Sequence, residues 1–413
     1  MAPINHNPVP PARPWGCVLL LLAALLLLRG MALTQPERAT REWPQPDNFR
    51  SLQFASDGAL VLQDYTTLTW YDATTVDLSA STPDATLYAD WELTDMAISP
   101  DGQWVAVGTK QGTLTLWTGA PHWRPLETLQ LGSDGSIAPI SFSADGRSVC
   151  WVASSHTADG TKTISIRVWD RVTRQDRFTL TQTAQGSAAA FDYGSASLSS
   201  DGQVIVLIGE TFELRQVDTN QLIYRIARDP RPFDSFGNLV ISPDQQWLAT
   251  DGGAIHTINP EQWVASGGQG QVTIRRFSDG AVVQVLHGPP NGDHLVAFSP
   301  DSRYLAVAAN TTSGGFFGPA FRGGWEPVTL YRVADWQVVQ TFQGHIEGAF
   351  GLAYSPDGNY LATYGTRVGD LTIRLWRVSP HHPFEPLFWF GSGLTLLITA
   401  FGRWIWLRRT HRV

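Results

Sequence analysis

A turn that recurs along the chain constrains its fold more than any other feature. Residues 350–376 read FGLAYSPDGNYLATYGTRVGDLTIRLW, in which three short runs of alternating apolar residues are separated by turns. Alternation of this kind is typical of β-strands. Three short strands cannot bury a face by themselves, so such a unit is stable only when it is stacked against copies of itself. The sequence therefore predicts further copies.

Copies of the turn are found by their aspartate, which follows an apolar pair and precedes a second apolar run. The seven aspartates are Asp57, Asp101, Asp145, Asp201, Asp244, Asp301 and Asp357. They lie 44, 44, 56, 43, 57 and 56 residues apart, so the basic unit is near 44 residues and the longer units carry insertions. A period of this length with several strands per unit is typical of a propeller blade. We predict an all-β fold, a seven-bladed β-propeller with four-stranded antiparallel blades, over residues 49–378.

The last unit resembles a WD repeat. It carries SPDGNYLA followed by DLTIRLW, with a Gly-His pair ahead of its first strand. In the WD-repeat family a His, a Ser or Thr, an Asp and a Trp form a buried hydrogen-bonded relay within a blade. The resemblance assigns these roles to His345, Thr363, Asp370 and Trp376. The other blades depart from the pattern, because none has a Gly-His pair ahead of its first strand. Their positions aligned with Trp376 read Tyr71, Trp117, Trp169, Val217, Phe277 and Tyr331, so only two of them keep the tryptophan.

The last unit also leaves little sequence for a fourth strand. Nine residues, including Pro380 and Pro383, separate Trp376 from the apolar run that begins at Pro386. WD-repeat propellers commonly close their ring with an N-terminal strand, which removes an exposed sheet edge. We therefore expect residues 34–48 to act as a linker and to supply a ring-closing strand.

Two interpretations of the N-terminal residues 1–33 stay open. Residues 16–28 (GCVLLLLAALLLL) are uninterrupted apolar sequence preceded by Arg13, which has the length of a secretory signal core. If the apolar run continues to Leu33, it approaches the length of a membrane span. The segment is therefore predicted to be either a cleaved signal peptide or an uncleaved membrane anchor.

The C-terminal end carries a second apolar segment. Residues 386–402 hold no charge, and aromatic residues flank them on both sides. We predict a linker at 379–385, a transmembrane helix at 386–407 and a basic tail at 408–413. The propeller is then flanked by hydrophobic helices and anchored to a membrane, with the propeller extracytoplasmic. The alternative places it on the cytoplasmic face of a membrane.

Composition argues against nucleic acid as a partner. The net charge is −8, and the 29 Lys and Arg residues are scattered, with lysine only at Lys110 and Lys162. A phosphate backbone is bound by clustered cations, and no such cluster is present. Cys17 and Cys150 have neither a CxxC partner nor a neighbouring His. No cofactor, metal site or catalytic residue is predicted, because the sequence contains no GxSxG, HExxH or phosphate-binding motif.

Insertions in the longer units are predicted to lie on one face of the ring. They fall after the second strand of a blade or between blades, at 153–162, 228–236, 251–271, 308–327 and 365–369. The 308–327 insertion is glycine-rich and aromatic, which is typical of a contact surface. The alternative is that it folds back as a plug over the central channel. The predicted contact residues for a protein or peptide partner are Phe316, Phe317, Phe321, Trp325, Trp263 and His256.

Two classes of function follow from these patterns. The favoured one is a membrane-tethered interaction scaffold that binds a protein partner on the insertion-bearing face. The alternative is an extracytoplasmic propeller enzyme or small-ligand binder with a site at the channel mouth. An enzyme requires converging carboxylates, histidines or a metal at that mouth, whereas a scaffold presents aromatic and mixed polar groups.

Overall fold

Repeated antiparallel sheets make up the described part of the chain. The computed structural model describes residues 38–46, 49–72, 85–88, 92–118, 123–130, 135–157, 159–185, 193–209, 211–226, 239–251, 258–259, 262–263, 271–287, 293–310, 325–346, 348–365 and 370–378. They belong to one compact unit, Arg38–Ser379. Within these ranges the strands form seven four-stranded sheets and one two-stranded hairpin. The predicted seven-bladed propeller with four-stranded antiparallel blades is confirmed.

The first four blades are each built from four consecutive strands. β1 (Arg41–Pro44) precedes them. Blade 1 contains β2 (Ser51–Phe54), β3 (Ala59–Gln63), β4 (Thr67–Asp72) and β5 (Ala85–Tyr88). Blade 2 contains β6 (Leu93–Ile98), β7 (Trp104–Thr109), β8 (Thr113–Thr118) and β9 (Arg124–Gln130). Blade 3 contains β10 (Gly135–Phe142), β11 (Ser148–His156), β12 (Thr161–Asp170) and β13 (Gln175–Gln185). Blade 4 contains β14 (Tyr193–Leu198), β15 (Val204–Gly209), β16 (Phe212–Gln216) and β17 (Leu222–Ile226).

The last three blades depart from this plan in two places. Blade 5 contains β18 (Leu239–Ile241), β19 (Trp247–Asp251), β22 (Gln271–Arg276) and β23 (Val282–His287), and its insertion carries the hairpin of β20 (Ile258–Asn259) and β21 (Gln262–Trp263). Blade 6 contains β24 (Asp293–Phe298), β25 (Tyr304–Asn310), β26 (Trp325–Arg332) and β27 (Gln337–Ile346). Blade 7 contains β28 (Ala349–Tyr354), β29 (Tyr360–Gly365) and β30 (Thr372–Arg377), and β1 is its fourth strand.

The turn between the first and second strands is fixed by its serine and aspartate. In blade 7, Ser355 Oγ donates to Asp357 Oδ1 at 2.6 Å, and the same carboxylate oxygen accepts from Asn359 N at 3.0 Å. Ser355 Oγ accepts in turn from Tyr360 N at 2.9 Å. Gly358 has a φ of 71°, a conformation that glycine adopts without strain. The same bonds recur in blades 2 to 6, so the repeated motif is a turn former.

Strand direction divides the loops between two faces. Turns after the first and third strands of each blade open on one side, here called the short-turn face. Loops after the second strand, and the connections between blades, open on the other side, here called the insertion-bearing face. Because strands in a blade alternate in direction, each loop class keeps to its own side in every blade.

Both ends of the described chain lie on the short-turn face. β1 runs antiparallel to β30, with Glu42 opposite Arg374. Thr40 N donates to Leu375 O at 2.8 Å near the start of β1. Val378, which follows β30, donates from its backbone N to Asn359 O in the short turn of blade 7 at 2.8 Å. The N-terminal segment therefore completes the last blade.

The hydrophobic core lies between adjacent blades. One cluster joins Trp43 and Leu60 to Ile373, so it packs blade 1 against blade 7. Another joins Phe342 of blade 6 to Leu361 and Trp376 of blade 7. Large aromatic side chains such as Trp376 are almost wholly buried at these contacts, where they fill the space between twisted sheets.

Two details of the sequence interpretation are corrected by strand register. Arg215 lies opposite Ile205 and Arg275 opposite Leu248, in the position that Trp376 takes opposite Leu361. The aligned residues of blades 4 and 5 are therefore these arginines, and the assignment of Val217 and Phe277 was wrong by two residues.

Most of the supposed insertion at 153–162 is also strand, because β11 extends to His156 and β12 begins at Thr161.

The predicted flanking segments, residues 1–33 and 386–407, lie outside the described residues. In the part of the chain that the structure describes, no helix has the length and apolarity needed to cross a membrane.

Candidate functional site

The four residues of the proposed relay meet inside blade 7. Trp376 Nε1 donates to Thr363 Oγ1 at 2.9 Å, and Thr363 Oγ1 lies 2.8 Å from His345 Nε2. On the other side of the imidazole, His345 Nδ1 lies 3.3 Å from Asp370 Oδ2. All four side chains are buried. Burial lowers the pKa of His345, and the Arg374 guanidinium lowers it further against the raising effect of Asp370. A neutral imidazole can accept from Thr363 and donate to Asp370, which satisfies every member.

An arginine that the sequence reasoning missed extends the relay to the N-terminal strand. Arg374 has a side chain only 4% exposed, and its Nη2 lies 3.0 Å from Asp370 Oδ2 and 3.2 Å from Glu42 Oε1. Its Nη1 donates to Gly344 O. Arg374 is two residues before Trp376, so both side chains lie on the same face of β30. Because Glu42 belongs to β1, polar contacts as well as strand pairing join the two ends of the propeller.

Other blades satisfy the equivalent position differently. Arg215 Nη1 donates to Asn220 O at 3.1 Å, and Arg275 Nη1 donates to Gly280 O at 3.1 Å. Asn220 and Gly280 are the residues with positive φ in the turns before the fourth strands. In blades 4 and 5 an arginine therefore binds a turn carbonyl where blade 7 buries a tryptophan. The polar relay is a property of blade 7 rather than of every repeat.

Comparison with known families agrees with this geometry. The family model described as "WD domain, G-beta repeat" matches residues 82–118 and 336–377. Each match includes the fourth strand of one blade and ends with the last residue of the third strand of the next, one residue beyond Trp117 and Trp376. The chain is a seven-bladed β-propeller that carries WD repeats. An uncharacterized WD repeat-containing protein of Synechocystis sp. is 31% identical over 106 residues, which cover 26% of this chain and 26% of the relative.

On the insertion-bearing face of this WD-repeat propeller, charged and aromatic residues meet beside blades 7, 1 and 2. We call Arg50, Tyr65, Glu92, Lys110 and Tyr364 the mouth cluster. Arg50 Nη2 lies 3.0 Å and Lys110 Nζ 2.7 Å from Glu92 Oε1. The Arg50 guanidinium carbon lies 3.9 Å from the ring centroid of Tyr65, within the range of a cation–π contact. Tyr364 Oη donates to Arg50 O at 3.1 Å.

The mouth cluster offers chemistry suited to contact with a protein. The side chains of Arg50 and Lys110 are 36% and 55% exposed, while Glu92 neutralises only one of the two cations. Burial raises the pKa of Tyr364 to about 12, so its phenol stays a hydrogen-bond donor at neutral pH. An exposed arginine stacked on a tyrosine beside a second cation is a surface for mixed aromatic and acidic side chains.

A single carboxylate lies deeper in the same region. Asp95 is in β6, the first strand of blade 2, and its Oδ2 accepts from Ile140 N of blade 3 at 2.8 Å. Burial raises the pKa of Asp95 to about 6. This half-buried carboxylate, with a backbone donor from the next blade, joins two blades.

A charged cleft lies on the opposite face. It has a volume of about 430 Å³ and lies between the short turns of blades 3 and 4, where its charged lining residues are Asp145, Arg147, Asp170, Arg177, Asp201 and Asp218. Arg147 Nε lies 2.7 Å from Asp170 Oδ2. Arg177 of blade 3 binds Asp218 of blade 4 through two N–H groups, each at 2.8 Å, and lowers the pKa of its carboxyl. The arrangement clamps two blades together.

The predicted partner-contact residues fall mostly beyond what the structure describes. His256, Phe316, Phe317 and Phe321 lie outside the described residues. Trp263 is in β21 and Trp325 begins β26, but their side chains are outside the description too. Contact by these six residues stays a prediction. Within the described ranges no three His, Cys, Asp or Glu residues converge to hold a metal ion, and burial raises the pKa of Cys150 to about 12.

Proposed function

We propose that this WD-repeat propeller is a membrane-tethered scaffold that binds a protein partner on its insertion-bearing face. The observation that carries the proposal is the position of the chain ends, because both Arg38 and Val378 leave from the short-turn face. Apolar sequence follows in both directions, at 16–28 and at 386–402. Two membrane segments attached to one face direct that face to the bilayer and leave the other face free.

Chain length supports a close approach of the short-turn face to the bilayer. Val378 and Pro386 are separated by so few residues that an extended connection spans at most about 29 Å. A tether of that reach holds the propeller near the surface. The basic sequence after residue 402 favours a cytoplasmic C-terminus and therefore an extracytoplasmic propeller.

Exposed aliphatic side chains on the same side of the ring also favour this orientation. Leu371 lies on the insertion-bearing side, whereas six of the eight exposed large hydrophobic side chains in the described residues lie in, or just after, the turns before the fourth strands of blades 3 to 6: Val172, Leu222, Ile223, Val282, Val283 and Val338. Three carboxylates near them are paired with arginine, Asp218 with Arg177, Asp279 with Arg276 and Asp335 with Arg332. Pairing with arginine lowers the free-energy cost of bringing these carboxylates on the short-turn face close to a lipid surface.

Fractionation of membranes tests the tether. The full chain is expected to stay in the membrane pellet after an alkaline carbonate wash and to be released by detergent. Protease added to intact cells is expected to digest the propeller. Recovery in the soluble fraction would contradict the tether, whereas a membrane-bound but fully protected propeller would place it on the cytoplasmic side.

Replacement of an insertion tests the partner face. A short Gly-Ser linker in place of residues 311–324 keeps β25 and β26 intact. It is expected to abolish recovery of the partner while thermal unfolding stays cooperative. The matched control is Val172→Ser on the short-turn face, which is expected to leave recovery unchanged. Loss of folding in the insertion variant would instead identify the insertion as a structural plug.

A further inference from the structure

Exposed aliphatic side chains recur at equivalent positions of blades 4, 5 and 6. In each of these blades the turn before the fourth strand contains a residue with positive φ, and an exposed aliphatic residue lies two positions after it. In blades 4 and 5 the next residue is exposed and aliphatic as well. We call these residues, which are between 39% and 51% exposed, the aliphatic arc: Leu222, Ile223, Val282, Val283 and Val338. Recurrence in three neighbouring blades indicates one extended surface rather than single exposed side chains.

The aliphatic arc lies close to the short turns. Its members are the first two residues of β17, the first two of β23 and the second of β27. A strand rises about 3.4 Å per residue, so the arc lies within about 7 Å of the turns. The chain ends leave from the same face, at blade 7, next to blade 6. A bilayer held at this face by the proposed tether is therefore within reach of the arc.

Trp336 adds an aromatic side chain at the blade 6 end of the arc. Its φ is 56°, which is uncommon for a bulky residue, and the equivalent positions of blades 4 and 5 hold Asn220 and Gly280. Its half-buried indole packs edge to face against Trp247 of blade 5, with ring centroids 5.5 Å apart. Partly exposed tryptophan beside aliphatic side chains is typical of a membrane–water interface. A tryptophan held in a strained turn conformation indicates that its side chain has a role there.

We propose that the aliphatic arc and Trp336 bind lipid directly, so that blades 4 to 6 lie in the headgroup region of the bilayer beside the tether at blade 7. This inference rests on the proposed membrane tether. A few aliphatic side chains bind lipid weakly by themselves, but a short tether makes the contact intramolecular and raises the effective concentration of lipid. Each of the three turns holds one aspartate paired with arginine, so the contact brings no isolated carboxylate to the lipid.

Fluorescence quenching by lipid tests the contact. The full chain with Cys17→Ser is labelled with an environment-sensitive fluorophore at Val282→Cys and reconstituted into phosphatidylcholine vesicles. His287→Cys is the matched control, because both residues are exposed and lie at opposite ends of β23. Cys150 is buried, so it stays unlabelled. Doxyl-labelled phosphatidylcholine is expected to quench the label at position 282 and to leave the label at position 287 unchanged.

Three results of this experiment would overturn the proposal. The first is equal quenching at the two positions, and the second is no quenching at position 282. The third is a label at position 282 that is shielded from aqueous iodide but not quenched by lipid, which would identify a protein as the occupant of the arc. A carbonate wash separates these results from failure of the tether. A chain that is retained but unquenched rejects the lipid contact alone, whereas a chain that washes off rejects the tether and the contact together.

Added charges test whether the arc itself makes the contact. Leu222→Asp with Val338→Asp places unpaired carboxylates on both sides of blade 5, so a label at Val283→Cys is expected to lose its quenching by lipid. The control, Thr179→Asp with Thr183→Asp, adds the same charge at exposed positions of β13 beyond its first turn-proximal residues, and quenching is expected to persist. Circular dichroism checks that both variants fold. Equal quenching in the two variants would overturn the proposal.

Discussion

Thr363 shows how much one hydroxyl contributes to the last blade. It accepts a hydrogen bond from the indole of Trp376 and reaches His345 with its own proton, and the surrounding atoms are buried. No water can replace it without opening the blade. The contribution of the Thr363 hydroxyl to the free energy of unfolding is therefore the penalty for leaving two buried polar groups unsatisfied.

We expect Thr363→Val to lower the free energy of unfolding by about 1–3 kcal/mol, because valine keeps the shape and removes the hydrogen bonds. Urea unfolding measures the change. The control is Thr128→Val, an exposed threonine whose hydroxyl lies 3.3 Å from that of Thr115, and its expected change is below about 0.5 kcal/mol. Equal losses in both variants would mean that the relay does not stabilise blade 7.

Asp95 gives a pH-dependent prediction at the same scale. Burial raises the pKa of Asp95 to about 6, so the folded state favours the neutral acid more than the unfolded state does. Its contribution to stability is thus greatest below about pH 4, falls between about pH 4 and 6, and is lowest above pH 6. Asp95→Asn keeps an acceptor for Ile140 N and carries no charge.

The variant Asp95→Asn is expected to be more stable than the parent at pH 8, with a difference that shrinks towards pH 4. Urea midpoints of both proteins at five pH values measure it. The turn aspartates, such as Asp357, have lowered pKa values, so they make the free energy of unfolding change with pH in the opposite direction. Both proteins contain them, so their contribution cancels in the difference. A difference that is constant with pH would contradict the assignment.

Among the elements, β1 has the widest effect because it joins the two ends of the ring. It pairs with β30 over four residues and brings Trp43 into the core between blades 7 and 1. Without it, β30 becomes an exposed edge and Arg374 loses Glu42 as a partner. The whole domain should then unfold at a lower temperature.

Deletion of residues 34–46 is expected to lower the melting temperature of the entire propeller in one transition, measured by calorimetry in detergent. Deletion of residues 2–13, which leaves β1 in place, is the control and should have no effect. An unchanged cooperative transition after the first deletion would refute ring closure by β1.

Strand content was predictable from the sequence wherever a short turn was flanked by alternating apolar residues. Register was less predictable. In blades 4 and 5 the search for a large apolar residue selected Val217 and Phe277, which lie just beyond β16 and β22, because the true positions hold Arg215 and Arg275. The ends of β11 and β12 are rich in Ser and Thr and were read as a loop.

Ring closure by the N-terminal segment was predictable, but side-chain contacts between distant parts of the chain were not. Arg374 and Glu42 are 332 residues apart, and no local pattern links them. The mouth cluster likewise combines residues from three blades. Its members are ordinary surface residues in sequence and become a group only when the ring brings the insertion-bearing ends of neighbouring blades together.

On the scale of the whole molecule, the two faces of the propeller differ in ways that define its proposed role. The short-turn face carries both chain ends, exposed aliphatic side chains and paired charges. The insertion-bearing face carries the mouth cluster and the long insertions. A scaffold bound to a bilayer by one face presents the other to its partner, so contacts made by the two faces should be chemically distinct.

Site-specific photo-crosslinking in isolated membranes tests this claim most directly. A photoreactive amino acid at Thr66, exposed on the insertion-bearing face next to Tyr65, is compared with the same amino acid at Val172, exposed on the short-turn face. The scaffold model predicts a discrete protein adduct from position 66 and lipid adducts from position 172. A protein adduct from position 172 with none from position 66 would contradict it.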